Sequence, residues 1–386
     1  MRKYSISFFL VMFLIGTDTF LISPLLPTLT ALYHNNSSRS GWMISAYAIG
    51  YAIFALISGP FSDGRNRKKI MLFGLLAFAI STFLCVFANH FILMLLFRFL
   101  AGVSASFVTP QVWASIPVVA KKEKIMALMG IASAGLAVSQ IAGVSMGSWL
   151  ATISWHTPFL VISALTIVMI SVVSVILPDM SHQTQKQKGI SPVKIYADLL
   201  KNKRALQFLL GFLIFQIGNF SVFSFLGVWL AADFNLTVGQ IGNVMIITGL
   251  GQFVMSLFAG KLTGKIGTAR TLLIGILALI VLYVFLPMAH TLPLITLILT
   301  IIFAFNGFVF PVFIGLAQST TTTARSTIAA LSNAAMYLGV TIAGIIGGKL
   351  FEHFQGMYGI SYFTILVYFV MLAVYWWSGE LKNKNS

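Results

Sequence analysis

The sequence predicts an all-α integral membrane protein of twelve transmembrane helices, arranged as two six-helix repeats. Three observations support this prediction. Of the 386 residues, 58% are hydrophobic and only 8% are charged, which excludes a soluble domain of this size. The apolar residues form long segments, and the chain matches itself without a gap when it is displaced by about 201 residues.

The apolar segments are 18 or more residues long, enough to cross the roughly 30 Å hydrocarbon core of a bilayer. They cover residues 5–32, 42–61, 70–88, 91–117, 125–153, 158–177, 206–232, 238–260, 271–288, 292–318, 326–348 and 358–377. The first segment is too long for a signal-peptide core, contains Asp18 and lacks a small-residue cleavage site, so we expect it to stay as the first helix.

The internal repeat aligns the same residue types in the two halves of the chain. It places Gly41, Gly50, Gly59, Gly74, Gly143 and Gly147 on Gly242, Gly251, Gly260, Gly275, Gly344 and Gly348. We call residues aligned in this way repeat mates. One register held across six apolar segments indicates two copies of one unit, as in transporters whose site lies between the halves. The mates of Asp18 and Arg98 are the neutral Asn219 and Leu299.

We expect a first half over residues 1–180, a cytoplasmic linker over 181–205 and a second half over 206–386. The linker is polar, contains Ser191-Pro192, and has a short surface helix predicted at 192–200. The other loops are too short for a catalytic domain, and the sequence has no phosphate-binding glycine-rich loop. We therefore expect neither an enzyme nor a cofactor, with an ion gradient as the energy source.

The net charge of +16 reflects topology. Among the 24 Lys and Arg residues, Arg39 and Lys349 lie on one side and Arg98 lies within a helix, whereas the others fall on the side of the termini. This bias predicts cytoplasmic termini in a cell membrane, which we take to be a bacterial cytoplasmic membrane. The basic side is expected to attract anionic lipids and not nucleic acid. Cys85 is the sole cysteine and no histidines are paired at ligand spacing, so we expect no metal site.

Asp18 and Arg98 are the only charged residues deep within the apolar segments. Each is costly there, by about 2.5–3.5 kcal/mol on insertion scales, so we expect them to be paired or functional. Helix direction and the 1.5 Å rise per residue place them at similar depth. We interpret them as a proton-coupling pair, because burial favours the neutral carboxyl whereas Arg98 favours the carboxylate. The alternative is a purely structural salt bridge.

Helical spacing collects further polar and aromatic side chains into stripes that predict a substrate cavity. The predicted lining is Tyr47, Tyr51, Thr109, Gln140, Gln216, Asn219, Phe223, Gln252, Asn306, Asn333 and Tyr337. For any one of these residues, a hydrogen bond between helices is the alternative. Together they describe a mostly neutral, aromatic cavity suited to amphipathic organic substrates.

The run from Gly59 to Lys68 resembles the loop signature between helices 2 and 3 of the major facilitator superfamily. Within it, Asp63 is expected to meet the positive N-terminal end of helix 11, with Arg65 and Arg67 completing a conformational latch. The repeat mate of Asp63 is Gly264, so the second half lacks the acidic part.

Two further motifs resemble that superfamily's twelve-helix drug/proton antiporter branch. Residues 95–98, followed by Gly102, are similar to a helix 4 motif linked to proton coupling, and Asp18 with Pro27 is similar to a helix 1 motif. The helix 5 antiporter motif is only partly present, because Val144 replaces its Gly-Pro step. Residues 143–179 look most like arabinose-efflux-type and purine-efflux-type proteins.

The resemblance implies a monomeric, proton-coupled exporter of small amphipathic molecules that works by alternating access. One alternative is a dedicated exporter or importer of a metabolite such as a sugar, a nucleobase or a siderophore. Another is a membrane sensor or scaffold, which would need a partner-binding domain that the sequence does not show. A channel is disfavoured by the duplicated halves and the latch.

Overall fold

The computed structural model describes residues 2–62, 65–121, 124–180, 192–320 and 325–378, and these are almost entirely helical. In chain order the helices are α1 (Arg2–Phe20), α2 (Ile22–Leu32), α3 (Ser37–Ser62), α4 (Arg67–Leu84), α5 (Phe91–Val119), α6 (Ile125–Val138), α7 (Val144–Ala151), α8 (Thr157–Ile176), α9 (Pro192–Lys201), α10 (Lys203–Phe234), α11 (Val238–Ile266), α12 (Thr268–Phe285), α13 (Leu292–Ser319), α14 (Arg325–His353) and α15 (Tyr358–Ser378).

The first membrane crossing consists of α1 and α2, which are separated at Leu21. The backbone N–H of Leu21 still donates to the carbonyl of Thr17 at 3.0 Å. Proline has no N–H, so Pro24 and Pro27 remove the helical donors for the carbonyls of Phe20 and Ser23. The interruption at Leu21 lies three residues beyond Asp18.

The fifth crossing is also interrupted. A π-helical turn at Ser139–Gly143 divides it into α6, of 14 residues, and α7, of 8 residues. Within the described residues, eleven other helices are long and apolar enough to cross a membrane, counting α1 with α2. With the divided fifth crossing they make up the predicted twelve-helix fold.

Helix α9 lies where the sequence predicts a surface helix, whereas residues 181–191 of the predicted linker lie outside the described residues. Helix α10 begins at Lys203, within the predicted linker. Its start is fixed by Asn202, whose side-chain oxygen accepts hydrogen bonds from the backbone N–H groups of Arg204 and Ala205.

We call the side on which α1 begins and α15 ends the terminal face, and the opposite side the distal face. Near the distal face, α3 packs along α14, α2 against α10 and α7 against α11. Gly41 and Gly344 approach each other closely, since a Cβ added to Gly41 would overlap the carbonyl oxygen of Gly344. Serine hydroxyls strengthen this junction: Ser45 donates to the Thr341 carbonyl at 2.9 Å and Ser145 to the Gly242 carbonyl at 3.1 Å. The halves are thus joined through their distal parts.

Candidate functional site

The two charged residues inside the membrane segments form an ion pair. Asp18 lies in the last turn of α1 and Arg98 lies two turns into α5, and both side chains are fully buried. Arg98 Nη1 donates to Asp18 Oδ2 at 2.8 Å, and Nη2 donates to the Asp18 backbone carbonyl at 3.1 Å. The structure therefore brings together the pair that the sequence places at similar depth.

The ion pair is incompletely satisfied. Asp18 Oδ1 and Arg98 Nε are buried and have no hydrogen-bond partner within the described part of the chain. A buried ion pair is stable only if its geometry is good and its remaining polar atoms are also bonded. Oδ1 is consequently the atom at which a proton, or a donor group of a substrate, meets no competing protein contact.

Tyr47 of α3 packs against this pair. The Arg98 guanidinium carbon is 4.6 Å from the centroid of the Tyr47 ring, a cation–π contact. The Tyr47 hydroxyl lies 3.0 Å from Thr19 Oγ1, which is also 2.9 Å from the carbonyl of Ile15. Threonine has a single hydroxyl proton, so if it is donated to Ile15, Tyr47 becomes the donor to Thr19. Tyr47 is thus tied to α1 and α5 at once.

Tyr337 extends this aromatic cluster into the second half. Its ring stacks on Tyr51 with centroids 3.8 Å apart and an interplanar angle of 26°, and its centroid is 6.3 Å from that of Tyr47. The hydroxyl of Thr109 lies beside the Tyr51 phenol. Four of the predicted cavity residues, from α3, α5 and α14, therefore come together.

Gln140 and Gln252 make a second contact between the halves. Gln252 Nε2 donates to Gln140 Oε1 at 3.2 Å. Gln140 lies in the π-helical turn, a type of distortion that recurs at functional positions. The turn packs closely on α1, since a Cβ on Gly16 would overlap the hydroxyl of Ser139. The distorted part of the fifth crossing is thereby held next to the helix that carries Asp18.

The remaining predicted lining residues are placed differently. Gln216 and Asn306 are buried in the second half, and their side-chain oxygens have no partner among the described residues. Gln216 packs on Gly339 of α14, and Asn306 lies beside Tyr283 of α12. Asn219 and Asn333 are half-buried. No hydrogen bond among the described residues joins these four side chains to the ion pair.

An aromatic plug of Phe20, Phe220 and Phe223 closes the distal side of the ion pair. Phe20 stacks on Phe220 at 5.9 Å between centroids, and Phe223 meets both rings edge-on. Ser23 Oγ donates to the Phe223 carbonyl at 2.5 Å. The void lined by these groups holds about 10 Å³, room for at most one water. Phe223, predicted as cavity lining, thus forms part of a seal in this conformation.

Sequence reasoning missed Thr19, which contacts Tyr47, and Phe20, which is part of the plug. Two signals were available: both residues directly follow Asp18, and the repeat mate of Thr19 is the bulky Phe220.

A larger groove, of about 410 Å³, lies at the distal ends of α11 and α13. Its lining is Leu236, Gln240, Asn243, Val244, Ile247, Leu292, Pro293 and Thr296. It shares no residue with the ion pair or the plug and is therefore separate from that site.

The predicted latch is only partly described. Gly59 lies in α3, and Asp63 lies outside the described residues. Arg65 is exposed, and Arg67 Nη1 donates to the Ala114 carbonyl of α5 at 2.5 Å. Lys68 Nζ binds carbonyls at the end of the sixth crossing, those of Ser174 and Leu177, both at 2.7 Å. These contacts fasten the loop to the first half, and the role of Asp63 at α14 stays a prediction.

Comparison with known proteins identifies the family. The family model of the Major Facilitator Superfamily matches residues 8–230 and again residues 208–386, so that together the two matches span nearly the whole chain. The chain belongs to the major facilitator superfamily. It is accordingly a membrane transporter and not an enzyme.

Individual relatives agree with this assignment. The chain is 46% identical over 368 residues to an uncharacterized MFS-type transporter, YceJ, of Bacillus subtilis (strain 168), covering 95% of this chain and 94% of the relative. It is 27% identical to Multidrug resistance protein 2 of the same organism, over 65% of this chain and 64% of the relative. Among solved structures, a bacterial homolog of the human lysosomal transporter Spinster shares the fold, with a TM-score of 0.79 at 15% identity, covering 98% of this chain and 97% of that chain.

Proposed function

We propose that this transporter exports small amphipathic organic compounds in exchange for protons, with Asp18 and Arg98 as the coupling pair. The observation that supports this is the buried ion pair itself, whose repeat mates are Asn219 and Leu299. The neutral residues at the matching positions indicate that the second copy of the fold forms without charges there. Charges are costly in the membrane, so their presence in one half favours a functional role.

Protonation supplies the change of state. A proton binds Asp18 at Oδ1, which has no partner in the described residues, and Arg98 loses its counter-charge. A buried guanidinium without an anion is unfavourable, so α1 and α5 must rearrange, and with them the halves. A proton that moves inward down a potential gains about 2.3 kcal/mol per 100 mV. Release of the proton on the far side restores the ion pair, with substrate competing for the same space.

The proposed substrate class rests on the aromatic and amide side chains that the sequence predicts as cavity lining. Tyr47, Tyr51 and Tyr337 offer aromatic faces, and Gln140 and Gln252 offer neutral amides. Such a lining favours flat, amphipathic organic molecules over inorganic ions or highly charged metabolites. The name of the 27% identical relative, Multidrug resistance protein 2, supports export of this class. The alternative is an exporter or importer dedicated to one metabolite. Val144, which stands in place of the Gly-Pro step of the helix 5 motif, bears on the direction of coupling and not on the substrate class.

The test is transport by purified protein in vesicles with an imposed pH gradient, over a panel of dyes, antibiotics, sugars and purines. We expect Asp18→Asn to bind neutral substrates but to lose gradient-driven accumulation. The matched control is Asp233→Asn, which alters an exposed acid that accepts a hydrogen bond from Trp229 at 2.8 Å, away from the ion pair. Normal accumulation by Asp18→Asn would refute the coupling role. Transport of a single member of the panel would favour the dedicated transporter.

We also propose that the protein is a monomer in a cell membrane and that its halves, residues 1–180 and 206–386, move as two units. The terminal face is proposed to be cytoplasmic. The support for this orientation is the concentration of Lys and Arg on the terminal face. In intact cells, a cysteine at Ser38 should react with an impermeant maleimide, whereas one at Ser386 should not. Reaction at Ser386 from outside would reverse the orientation.

A further inference from the structure

Tyr47 occupies a position between the ion pair and the contact that joins the halves. One neighbour of its ring is the Arg98 guanidinium, at 4.6 Å. Another is Tyr337 of the second half, at 6.3 Å between centroids. Tyr337 in turn stacks on Tyr51, one helical turn further along α3. The ion pair of the first half is thus in continuous contact with α14.

The contact continues along α14 to the junction at the distal face. Thr341, one turn after Tyr337, donates its hydroxyl to the Tyr337 carbonyl at 2.9 Å. The Thr341 carbonyl accepts the hydrogen bond from Ser45 of α3. Gly344, less than one turn further on, abuts Gly41. A displacement of Tyr337 therefore acts directly on the contacts that hold the distal face closed.

Tyr47 has little freedom to move independently of the ion pair. A Cβ on Gly102 would overlap the Tyr47 carbonyl oxygen, so α3 and α5 meet backbone to backbone at this level. The Tyr47 hydroxyl is bonded to Thr19, the residue next to Asp18. A change in the position of Arg98 or of the end of α1 must therefore change the position of the Tyr47 ring.

We propose that Tyr47 is a positioning residue that transmits protonation of Asp18 to the α3–α14 contact through Tyr337. This inference rests on the proposed proton coupling. The titratable or charged groups that face Asp18 within the described residues are Arg98 of α5, Tyr47 of α3, Tyr337 of α14 and Cys85 at the end of α4. Loss of the carboxylate charge leaves the Asp18 backbone carbonyl and the Tyr47 ring as stabilising contacts of Arg98. The ring and Tyr337 then follow the guanidinium.

The experiment measures the distance between spin labels at Arg39 and His353, exposed positions at the distal ends of α3 and α14, in a Cys85→Ala background. We expect acidification to increase the open population of the distal face. In Tyr47→Leu this pH-dependent change should fall by about thirty-fold, the equivalent of about 2 kcal/mol for a desolvated cation–π contact at 1.4 kcal/mol per decade. Tyr47→Phe keeps the ring and should keep most of the response. Tyr33→Leu, which removes a tyrosine bonded to the Ala88 carbonyl of the first half, is the matched control.

Three results separate the possibilities. If Tyr47→Leu titrates like the parent protein while Asp18→Asn does not respond to pH, the role of Tyr47 is refuted and proton coupling stands. If Asp18→Asn also titrates normally, the coupling proposal and this inference both fail. If Tyr47→Leu does not fold, Tyr337→Leu interrupts the same contact from the other half, and a normal pH response in that variant refutes the inference.

Discussion

Two helix–helix interfaces join the halves. The internal repeat relates one interface to the other, but their side chains differ. At the first, α3 meets α14; at the second, α11 meets the π turn and α7. Both are held near the distal face by a serine that donates to a backbone carbonyl, Ser45 to Thr341 at the first and Ser145 to Gly242 at the second. The glycines that allow the close approach are related as well, because Gly41 and Gly242 are repeat mates.

Towards the centre of the membrane the two interfaces have different side chains. The first has a stack of tyrosines next to the ion pair, whereas the second has the amide contact between Gln140 and Gln252. The repeat mates of Tyr47, Tyr51 and Tyr337 are Thr248, Gln252 and Leu136, none of them aromatic. Backbone contacts have thus been kept in both copies while side-chain chemistry has not. We infer a division of roles in which only the α3–α14 interface responds to protons, whereas the amides at the interface of α11 with the π turn and α7 contact substrate without sensing the proton.

The largest expected effect follows from removing one member of the ion pair. Arg98→Leu copies the repeat mate Leu299 but leaves the Asp18 carboxyl buried without a counter-charge, which should cost about 3–5 kcal/mol. The double variant Asp18→Asn/Arg98→Leu copies both mates and should recover most of the lost stability. Unfolding of purified protein, followed by tryptophan fluorescence, measures the difference. Neither variant should accumulate substrate along a pH gradient. A double variant as unstable as Arg98→Leu would show that the fold of the first half itself needs the pair.

The sequence was sufficient to predict the twelve crossings, the repeat and the depth of the ion pair, because hydrophobic length and helical rise determine these features. It was not sufficient to predict how α2 and α10 meet. The plug depends on the approach of Gly227 to the Ser23 carbonyl, where a Cβ would make a close contact, and periodicity within one helix does not define packing between two. The π turn at Ser139–Gly143 was missed for a related reason, since an extra residue in one turn leaves the hydropathy of the segment unchanged.

The smallest expected effect concerns the interface of α11 with the π turn and α7. Gln140→Leu or Gln252→Leu removes an amide that substrate could bind. The loss of one protein–substrate hydrogen bond costs about 1 kcal/mol, which corresponds to roughly a fivefold change in KM for substrates that use the amides. Because neither side chain bonds to Asp18 or Arg98 among the described residues, the number of protons moved per substrate should stay that of the parent protein. Transport in vesicles with simultaneous recording of substrate and pH measures both quantities. A changed number of protons per substrate in these variants would mean that both interfaces sense the proton and that the division of roles is wrong. An unchanged KM across the whole panel would instead show that the amides do not contact substrate. The tyrosines of the α3–α14 interface would then be the remaining wall of the substrate site.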